Sequence, residues 1–318
     1  MKILIALGGN ALLRRDQVLS AENQLENIRA AAAQLARLAL MHTLVITHGN
    51  GPQVGLLSLQ AAAYHGVEPY PLDVLGAQTE GMIGYLLEQE LANLLPASRT
   101  ITTLVTRVEV NADDPAFKHP TKPIGPMYTR AQAQLLAKEK GWRVAPDGAG
   151  FRRVVASPQP LKVIGLQAIK WLLAHDAIVI AAGGGGIPVA RNGAIVAKGT
   201  SGALHGVEAV IDKDLCSGLL ATALSVDCLL IATDVAAVFL DWGLPTQRAI
   251  GHVAPKALEG IHFPEGSMGP KVTAACNFVR ASNKRAVIGS LTQIENMLSG
   301  SAGTVISMAG ATSTVESR

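Results

Sequence analysis

Residues 43–52 read Thr-Leu-Val-Ile-Thr-His-Gly-Asn-Gly-Pro, and this stretch decides the fold. Its first five residues, 43–47, form a short apolar and β-branched run that predicts a buried strand. A glycine-rich loop follows, and Pro52 stands where a helix is expected to open. A buried strand that passes through a short loop into a helix is the repeating unit of a parallel α/β sheet.

The same unit recurs along most of the chain. Strands are predicted at 2–7, 43–47, 101–110, 177–182, 227–232, 286–289 and 304–307. Helices are predicted at 21–40 with Ser20 as its cap, 52–66, 74–95 with Asp73 as its cap, 165–175, from Asp212 onward, and 268–281 with Ser267 as its cap. This alternation predicts an α/β fold with a mainly parallel central sheet and helices on both of its faces.

Residues 111–160 interrupt the alternation. They contain several prolines, a short predicted helix at 129–140 and a hairpin with its turn at 147–150, so we expect a small protruding subdomain within one domain, 1–318. Asn192-Gly193 predicts a second hairpin turn. The tail 309–318 is small and polar, and it is predicted to be disordered.

Composition excludes several classes of protein. The 318 residues carry a net charge of +3, and this balance argues against non-specific binding of nucleic acid. Although 49% of the residues are hydrophobic, no apolar stretch reaches the roughly 18 residues that a membrane span needs. Because only 16% are charged, part of an apolar face is expected to be covered in a homo-oligomer.

Cysteine and histidine usage bears on metal sites and on location. The three cysteines, Cys216, Cys228 and Cys276, form no Cys-x-x-Cys motif, and the eight histidines form no His-Glu-x-x-His motif. We therefore expect neither a disulfide framework nor a metal site built by the protein alone. The N-terminal apolar run is too short for a signal peptide, which indicates a cytoplasmic protein.

Three predicted strands end in glycine loops, at 8–10, 49–51 and 183–186. Ligands of open α/β sheets bind beyond the carboxyl ends of the strands, and glycine lets backbone N–H groups approach an oxyanion closely. Three such loops favour a polyanion such as a nucleotide phosphate chain over three unrelated tight turns. Neither the P-loop motif nor G-x-G-x-x-G is present, which disfavours P-loop ATPases and dinucleotide dehydrogenases.

Three lysines are candidates for contacting that anion. Lys213 and Lys271 stand near predicted helix starts. A cation there opposes the helix dipole at a cost of about 0.3–1 kcal/mol. A bound phosphate would make the position of the cation favourable instead. A salt bridge to the flanking Asp212 and Asp214 is the alternative for Lys213. Lys122 lies in a loop stiffened by prolines, for which a plain surface turn is the alternative.

At these motifs the sequence resembles the carbamate kinases of the amino-acid-kinase superfamily. The resemblance spans about residues 3–307, and the long runs 48–55 and 208–214 are its most specific parts. It is closest to the carbamate kinases of bacterial purine-ureide breakdown. The other matching segments are 6–11, 114–117, 120–126, 152–155, 157–158, 183–189 and 266–271.

The resemblance implies a three-layer α/β/α sandwich, a homodimer and the reaction ATP + carbamate ⇌ ADP + carbamoyl phosphate. The N-terminal half, about 1–165, would bind the acceptor, and the C-terminal half, about 166–308, would bind the nucleotide together with its Mg²⁺. By the same resemblance Lys122, Lys213 and Lys271 contact the phosphoryl group, and Asp212 orients these lysines.

The other implied site residues form two groups. The carbamate and γ-phosphate would be held by Gly8, Gly9, Asn10, Asn50, Gly51, Gly184 and Gly185. The nucleotide would be held by Thr233, Asp234, Phe239, Trp242 and Met268.

This chemistry needs no general base, because carbamate is already an anion. The obstacle is repulsion between the two substrates, about 4 kcal/mol for unit charges ~4 Å apart at an effective dielectric near 20. N–H loops, lysines and Mg²⁺ are the groups that overcome it. Carbamoyl phosphate is the less stable phosphate, which favours operation toward ATP synthesis.

Two other functions remain open at this point. One is a kinase of another small carboxylate or phosphate acceptor on the same fold. The other is a non-catalytic nucleotide-binding module, which is expected to lack at least one of the three lysines, although all three are present.

Overall fold

The computed structural model describes residues 1–9, 12, 17–18, 20–64, 66, 68–191, 202–264 and 266–312. Eight α-helices and seventeen β-strands lie in these ranges. The helices are α1 (Ala21–Ala39), α2 (Gln53–Ala63), α3 (Leu72–Ala92), α4 (Arg130–Lys140), α5 (Leu166–Ala174), α6 (Lys213–Ala223), α7 (Met268–Ser282) and α8 (Ile294–Ser299). The strands are β1 (Lys2–Leu7), β2 (Thr43–His48), β3 (Ile101–Leu104), β4 (Arg107–Val110), β5 (Lys122–Tyr128), β6 (Val144–Asp147), β7 (Gly150–Val155), β8 (Pro160–Val163), β9 (Ile178–Ala181), β10 (Ile187–Arg191), β11 (Leu204–Gly206), β12 (Cys228–Thr233), β13 (Phe239–Leu240), β14 (Arg248–Ala249), β15 (His252–Val253), β16 (Arg285–Ser290) and β17 (Thr304–Ile306).

The largest sheet has eight strands in the order β15-β17-β16-β12-β1-β2-β9-β3. Every neighbouring pair in it is parallel except β16 and β17. The central strand β1 pairs along its whole length with β2, from Lys2 opposite Thr43 to Leu7 opposite His48. The predicted α/β fold with a mainly parallel sheet is therefore confirmed.

The sheet lies between two helical layers. Alternate residues of β1 point to opposite faces, so that Leu4 and Ala6 belong to one buried cluster and Ile3 and Ile5 to the other. The first cluster is completed by α5, α6 and α7 through Ile169, Leu220 and Phe278. The second is completed by α1, α3 and α8 through Ile28, Ile83 and Met297. This is the expected three-layer α/β/α sandwich.

Three smaller sheets flank the main one. The antiparallel sheet β5-β7-β6 lies with α4 inside the segment 111–160 that was predicted to leave the main sheet. A four-stranded sheet has the order β11-β10-β4-β8, and β13 pairs with β14. The predicted turn at Asn192-Gly193 lies outside the described residues, and β10 pairs antiparallel with β11.

The prediction of one strand over 101–110 was wrong. Two strands form instead, with β3 beside β9 in the main sheet and β4 beside β10 in the four-stranded sheet. The switch occurs at Thr106, whose N–H donates to Glu80 Oε2 at 3.0 Å rather than to a neighbouring strand. A β-branched run alone gives no sign of this, because the partner lies 26 residues away.

One predicted helix cap was wrong, whereas Ser20 caps α1 as expected by accepting from the Asn23 N–H. Asp73 lies inside the first turn of α3, and the N–H of Leu72 donates to the distant Glu208 side chain at 2.8 Å. Ser267 occupies the N-cap position of α7 as predicted, but its side chain makes no capping hydrogen bond.

The first residues of the C-terminal tail lie within the described part of the chain. Within the tail predicted to be disordered from residue 309, Ala311 pairs with Val253, and residues 313–318 lie outside the described ranges. None of the described helices combines the length and apolar character that crossing a membrane requires.

Candidate active site

The three glycine loops meet at one edge of the main sheet, because they follow the neighbouring parallel strands β1, β2 and β9. A Cβ built on Gly49 would lie 3.6 Å from the Gly9 nitrogen, so the first two loops touch. Gly184 has φ of +67°, and a Cβ there would lie 1.7 Å from Asn50 Oδ1, so no other residue fits. A Cβ on Gly185 would meet the Ile211 carbonyl at 2.5 Å, which places this loop beside the start of α6.

Three lysines from distant parts of the chain converge at that start of α6. Lys213 is the first residue of α6, Lys271 lies in the first turn of α7, and Lys122 begins β5. Lys122 Nζ donates to Asp212 Oδ2 at 2.5 Å, and Lys271 Nζ donates to Asp214 Oδ2 at 3.1 Å. Lys213 donates to the other oxygen of Asp214. The predicted positions of Lys213 and Lys271 at helix starts are confirmed, and Lys213 also makes the salt bridge named as its alternative. Lys122 was predicted in a loop, but it begins strand β5, which pairs with β7.

Asp212 has two roles in this cluster. Its Oδ1 caps α6 by accepting from the N–H groups of Asp214 and Leu215, at 2.9 and 3.3 Å, while its Oδ2 binds Lys122. Burial alone would raise the pKa of Asp212, but the charges of Lys122 and Lys213 and these hydrogen bonds outweigh it and lower the pKa to about 2. Asp212 is therefore ionised at neutral pH.

The cluster keeps an excess of positive charge. Three ammonium groups face two carboxylates, and the side chains of Lys213 and Lys271 are only 11% and 14% exposed. Burial lowers the pKa of Lys213, and the neighbouring Asp214 opposes that shift. Because the first turns of α6 and α7 add the positive ends of two helix dipoles, the edge suits an anion that carries several negative charges.

The residues that the resemblance assigns to the nucleotide are spread over several elements of the C-terminal half. Thr233 ends β12, next to Gly8, whose N–H donates to the Ala232 carbonyl at 2.8 Å. Phe239 and Trp242 form an aromatic pair with centroids 5.2 Å apart. Thr233 Oγ1 bonds Asp234, and Met268 begins α7 one turn before Lys271. Asn10 lies outside the described residues.

Sequence reasoning missed two positioning residues on α3. The Glu80 side chain is buried and accepts the Gly183 N–H at 2.8 Å and the Thr106 N–H at 3.0 Å. Thr79 Oγ1 donates to Asn50 Oδ1 at 3.1 Å. One turn of α3 thus contacts and orders two of the glycine loops. The signal for this in the sequence was limited to one acidic residue within a predicted helix.

Asp214 was noticed only as a neighbour of Lys213. In the structure it is 3% exposed and bridges Lys213 to Lys271, which lies 57 residues further along the chain. The sequence contains no sign of that second partner.

His48 lies buried between the second and third glycine loops. It is fully buried, its Nδ1–H donates to the Gly49 carbonyl at 2.9 Å, and burial lowers its pKa to about 4. A Cβ on Gly183 would lie 2.3 Å from His48 Nε2, so the ring packs against the third glycine loop. The ring therefore helps to shape the turn after β2.

The subdomain that carries Lys122 is held against α2 and against the segment that precedes α6. A Cβ on Gly55 of α2 would lie 2.0 Å from the Gly125 Cα, so the backbones of α2 and β5 touch directly. At its other end the Val210 N–H donates to the Ala156 carbonyl at 2.9 Å. These two contacts fix the position from which Lys122 reaches Asp212.

The protein-family comparison decides the family. The protein-family model described as the amino acid kinase family matches residues 1–290 of this chain. A carbamate kinase from Haemophilus influenzae is 56% identical over 306 residues, covering 96% of each chain. The chain belongs to the amino acid kinase family, among the carbamate kinases.

Two further relatives of this family agree with that assignment. A carbamate kinase from Escherichia coli K12 is 51% identical over 306 residues, which cover 96% of this chain and 99% of that one. A solved carbamate kinase from Giardia lamblia bound to AMP-PNP has a TM-score of 0.85 and 38% identity, over 96% of this chain and 98% of that chain. The resemblance found in the sequence is therefore confirmed at the level of the amino acid kinase family and its carbamate kinases.

We expect Lys271→Ala to lower kcat for phosphoryl transfer between carbamoyl phosphate and ADP by about 10²–10³-fold, since it removes one of the three preorganised positive charges at the start of α6. Steady-state turnover of purified, folded protein measures this. Lys284→Ala, which removes an exposed lysine 3.9 Å from Asp227, is the matched control and should leave turnover unchanged. Retention of more than about a third of the wild-type kcat in Lys271→Ala would reject the role.

A second expectation concerns Glu80. Burial raises its pKa to about 8 from an ordinary value of 4.5, and the N–H groups of Thr106 and Gly183 only partly oppose the shift. A raised pKa contributes stability that is full below about pH 4.5 and is lost as pH rises through about 8. The free energy of unfolding should therefore fall over this range by up to about 1.4 kcal/mol per pH unit from this group.

Glu80→Gln should remove that contribution, so that its unfolding free energy depends less steeply on pH between 5 and 8. Urea unfolding of wild type and variant at several pH values measures the two slopes. Glu88→Gln takes a carboxyl from the same helix at a less buried position and should keep the wild-type slope. Equal slopes in Glu80→Gln and wild type would contradict the assignment.

Proposed function

We propose that this chain transfers a phosphoryl group reversibly between ATP and carbamate, giving ADP and carbamoyl phosphate. The observation that carries the proposal is the convergence of Lys122, Lys213 and Lys271 on Asp212 and Asp214, at the edge where three glycine loops meet. Membership among the carbamate kinases supports the choice of acceptor.

The residues divide the work between the two substrates. We propose that the loops after β1, β2 and β9 hold carbamate and the γ-phosphate through backbone N–H groups and the Asn50 amide. The members of this set are Gly8, Gly9, Asn10, Asn50, Gly51, Gly184 and Gly185. The acceptor side is assigned to the segment 1–165 with the loop after β9, and the nucleotide side to 166–308.

The lysines act by exchanging partners. In the structure each ammonium group binds a carboxylate, and a phosphoryl group entering between the glycine loops and α6 would offer oxygens to Lys122, Lys213 and Lys271. As charge spreads over the oxygens of the transferring group, these cations stabilise it without a proton transfer. Asp212 and Asp214 keep the ammonium groups in place between turnovers.

The nucleotide would lie along the C-terminal half. Supports for this are the position of Thr233 and Asp234 at the end of β12 and that of Met268 one turn before Lys271. The Phe239–Trp242 pair supplies an apolar surface suited to a base.

Mg²⁺ fits this site as an ion that is bound mainly by the phosphates of the nucleotide. Asp212 and Asp214 are already engaged by lysines, and the described residues contain no cluster of three or more His, Cys, Asp or Glu side chains. Mg²⁺ binds phosphate oxygens and retains several waters, so it needs few protein ligands. When bound, it neutralises charge on the phosphate chain.

The direction of operation follows from the chemistry of the substrates. Because carbamoyl phosphate is the less stable phosphate, we propose that the chain works toward ATP synthesis. Its setting in purine-ureide breakdown stays a prediction from the sequence.

We expect the purified chain to be a homodimer. Its low content of charged residues leaves large apolar side chains exposed, among them Tyr85 on α3 together with Leu94 and Val105. Sedimentation velocity should give the mass of two chains, and the mass of a single chain at micromolar concentration would contradict the dimer.

The activity is tested by ATP formation from ADP and carbamoyl phosphate with purified protein. We expect turnover that depends on Mg²⁺ and is abolished by EDTA. Acetyl phosphate and the phosphates of glutamate derivatives and of nucleoside monophosphates, supplied in parallel, separate this activity from that of another small-acceptor kinase. ADP binding without ATP formation from any donor would indicate the non-catalytic module instead.

A further inference from the structure

Gln53, the first residue of α2, is buried in a way that the reaction scheme above leaves unexplained. Its side chain is 3% exposed, and neither Nε2 nor Oε1 has a hydrogen-bond partner. Among the described residues, every other buried side chain with an orphaned polar atom leaves only one such atom, whereas Gln53 leaves a donor and an acceptor. A buried primary amide with both ends unpaired is costly to fold, which suggests that a ligand supplies the partners.

The amide lies at the acceptor end of the site. Its Oε1 is 2.3 Å from the position that a Cβ on Gly51 would take, so it sits directly over this residue. Gly51 in turn adjoins the first loop, because a Cβ on Gly9 would be 3.9 Å from the Gly51 Cα. The Gln53 amide is therefore next to the two glycine loops that we assign to carbamate.

We propose that Gln53 is the specificity residue that reads the amino group of carbamate, an inference that rests on the proposed function. Carbamate presents an N–H donor beside an oxygen acceptor, and a primary amide presents the complementary pair. Oε1 accepts from the carbamate N–H while Nε2 donates to one carbamate oxygen. The second carbamate oxygen stays free to bond phosphorus.

Gln53 differs from the other polar side chains at this edge because it offers an unpaired acceptor and an unpaired donor together. His48 Nε2 is also an unpaired acceptor, but it lies against Gly183 in the third loop, and the ring has no second free donor to meet a carbamate oxygen. Asn50 Oδ1 lies 3.1 Å from the Thr79 hydroxyl, and the oxygens of Asp212 and Asp214 face lysines. Among these side chains, the Gln53 amide therefore matches the donor and acceptor pair of carbamate best.

Acetate is the discriminating competitor, because it replaces the amino group with a methyl group of similar size. Bound acetate would leave Oε1 unpaired, and a site built to hydrogen-bond a substrate group discriminates against an analogue that lacks it. Bicarbonate carries an O–H in the same place and would satisfy Oε1.

The test compares ATP formation from ADP with two phosphoryl donors, carbamoyl phosphate and acetyl phosphate. In both reactions the bond between phosphorus and the acyl oxygen breaks, a bond between phosphorus and a terminal ADP oxygen forms, and carbamate or acetate leaves as an anion. We expect Gln53→Leu to lower kcat/KM for carbamoyl phosphate by about 10–100-fold, since both hydrogen bonds are lost. The value for acetyl phosphate should stay within about threefold, because the loss of the Nε2 bond to its oxygen is offset by removal of the Oε1 that acetate leaves unpaired.

Gln53→Glu is the second variant and it keeps a polar side chain in the same place. A carboxylate still accepts from the amino group but no longer donates to the oxygen, so both activities should fall while the preference for carbamoyl phosphate is retained. Gln60→Leu, an exposed position on the same helix, is the matched control and should change neither activity. Thermal unfolding establishes that each variant is folded.

The outcomes are distinguishable from those of the proposed function. If wild type forms no ATP from carbamoyl phosphate, the function itself fails. If wild type does so but Gln53→Leu loses both donors equally, or keeps its preference for carbamoyl phosphate, Gln53 is structural and the inference is overturned. Loss of the preference in Gln53→Glu would contradict the role of an acceptor oxygen.

Discussion

The pairing of three ammonium groups with two carboxylates at the start of α6 is the constraint on which the rest of the site depends. Lys122, Lys213 and Lys271 come from three separate elements, and without a counter-charge they would repel one another in a half-buried space. Asp212 and Asp214 hold them together, and Asp212 also caps the helix that carries both acids. Three ammonium groups against two carboxylates leave an excess of positive charge, which suits an anion at this edge.

Much of this could be read from the sequence because the relevant signals are local. Apolar runs that end in glycines at 8–9, 49–51 and 183–186 predict parallel strands whose loops share one edge, and β1, β2 and β9 are indeed neighbours. The lysine at the start of α6 could be predicted as well, because Lys213 directly follows the capping residue Asp212 in the sequence.

What the sequence could not supply are contacts between distant segments. Asp214 pairs with a lysine 57 residues away, and the contact of Glu208 with the start of α3 spans 136 residues. The division of 101–110 into two strands depends on Glu80, which draws the Thr106 N–H away from the ladder. The sequence pattern around Glu80 does not show whether this acid orders a loop through backbone N–H groups or forms an ordinary ion pair.

The protruding subdomain shows why the loop after β2 and the lysines must be considered together. The backbone contact between Gly55 and Gly125 joins β5 to α2, the helix that begins with Gln53 beside Gly51 of that loop. Lys122, at the start of β5, reaches Asp212 at the start of α6. Any displacement of the subdomain therefore changes the position of Lys122 relative to α6 and the contact with α2 at the same time. On the assignment proposed above, the two substrates are anions that must be held in line against their repulsion, and this shared attachment would keep their two binding sites in register.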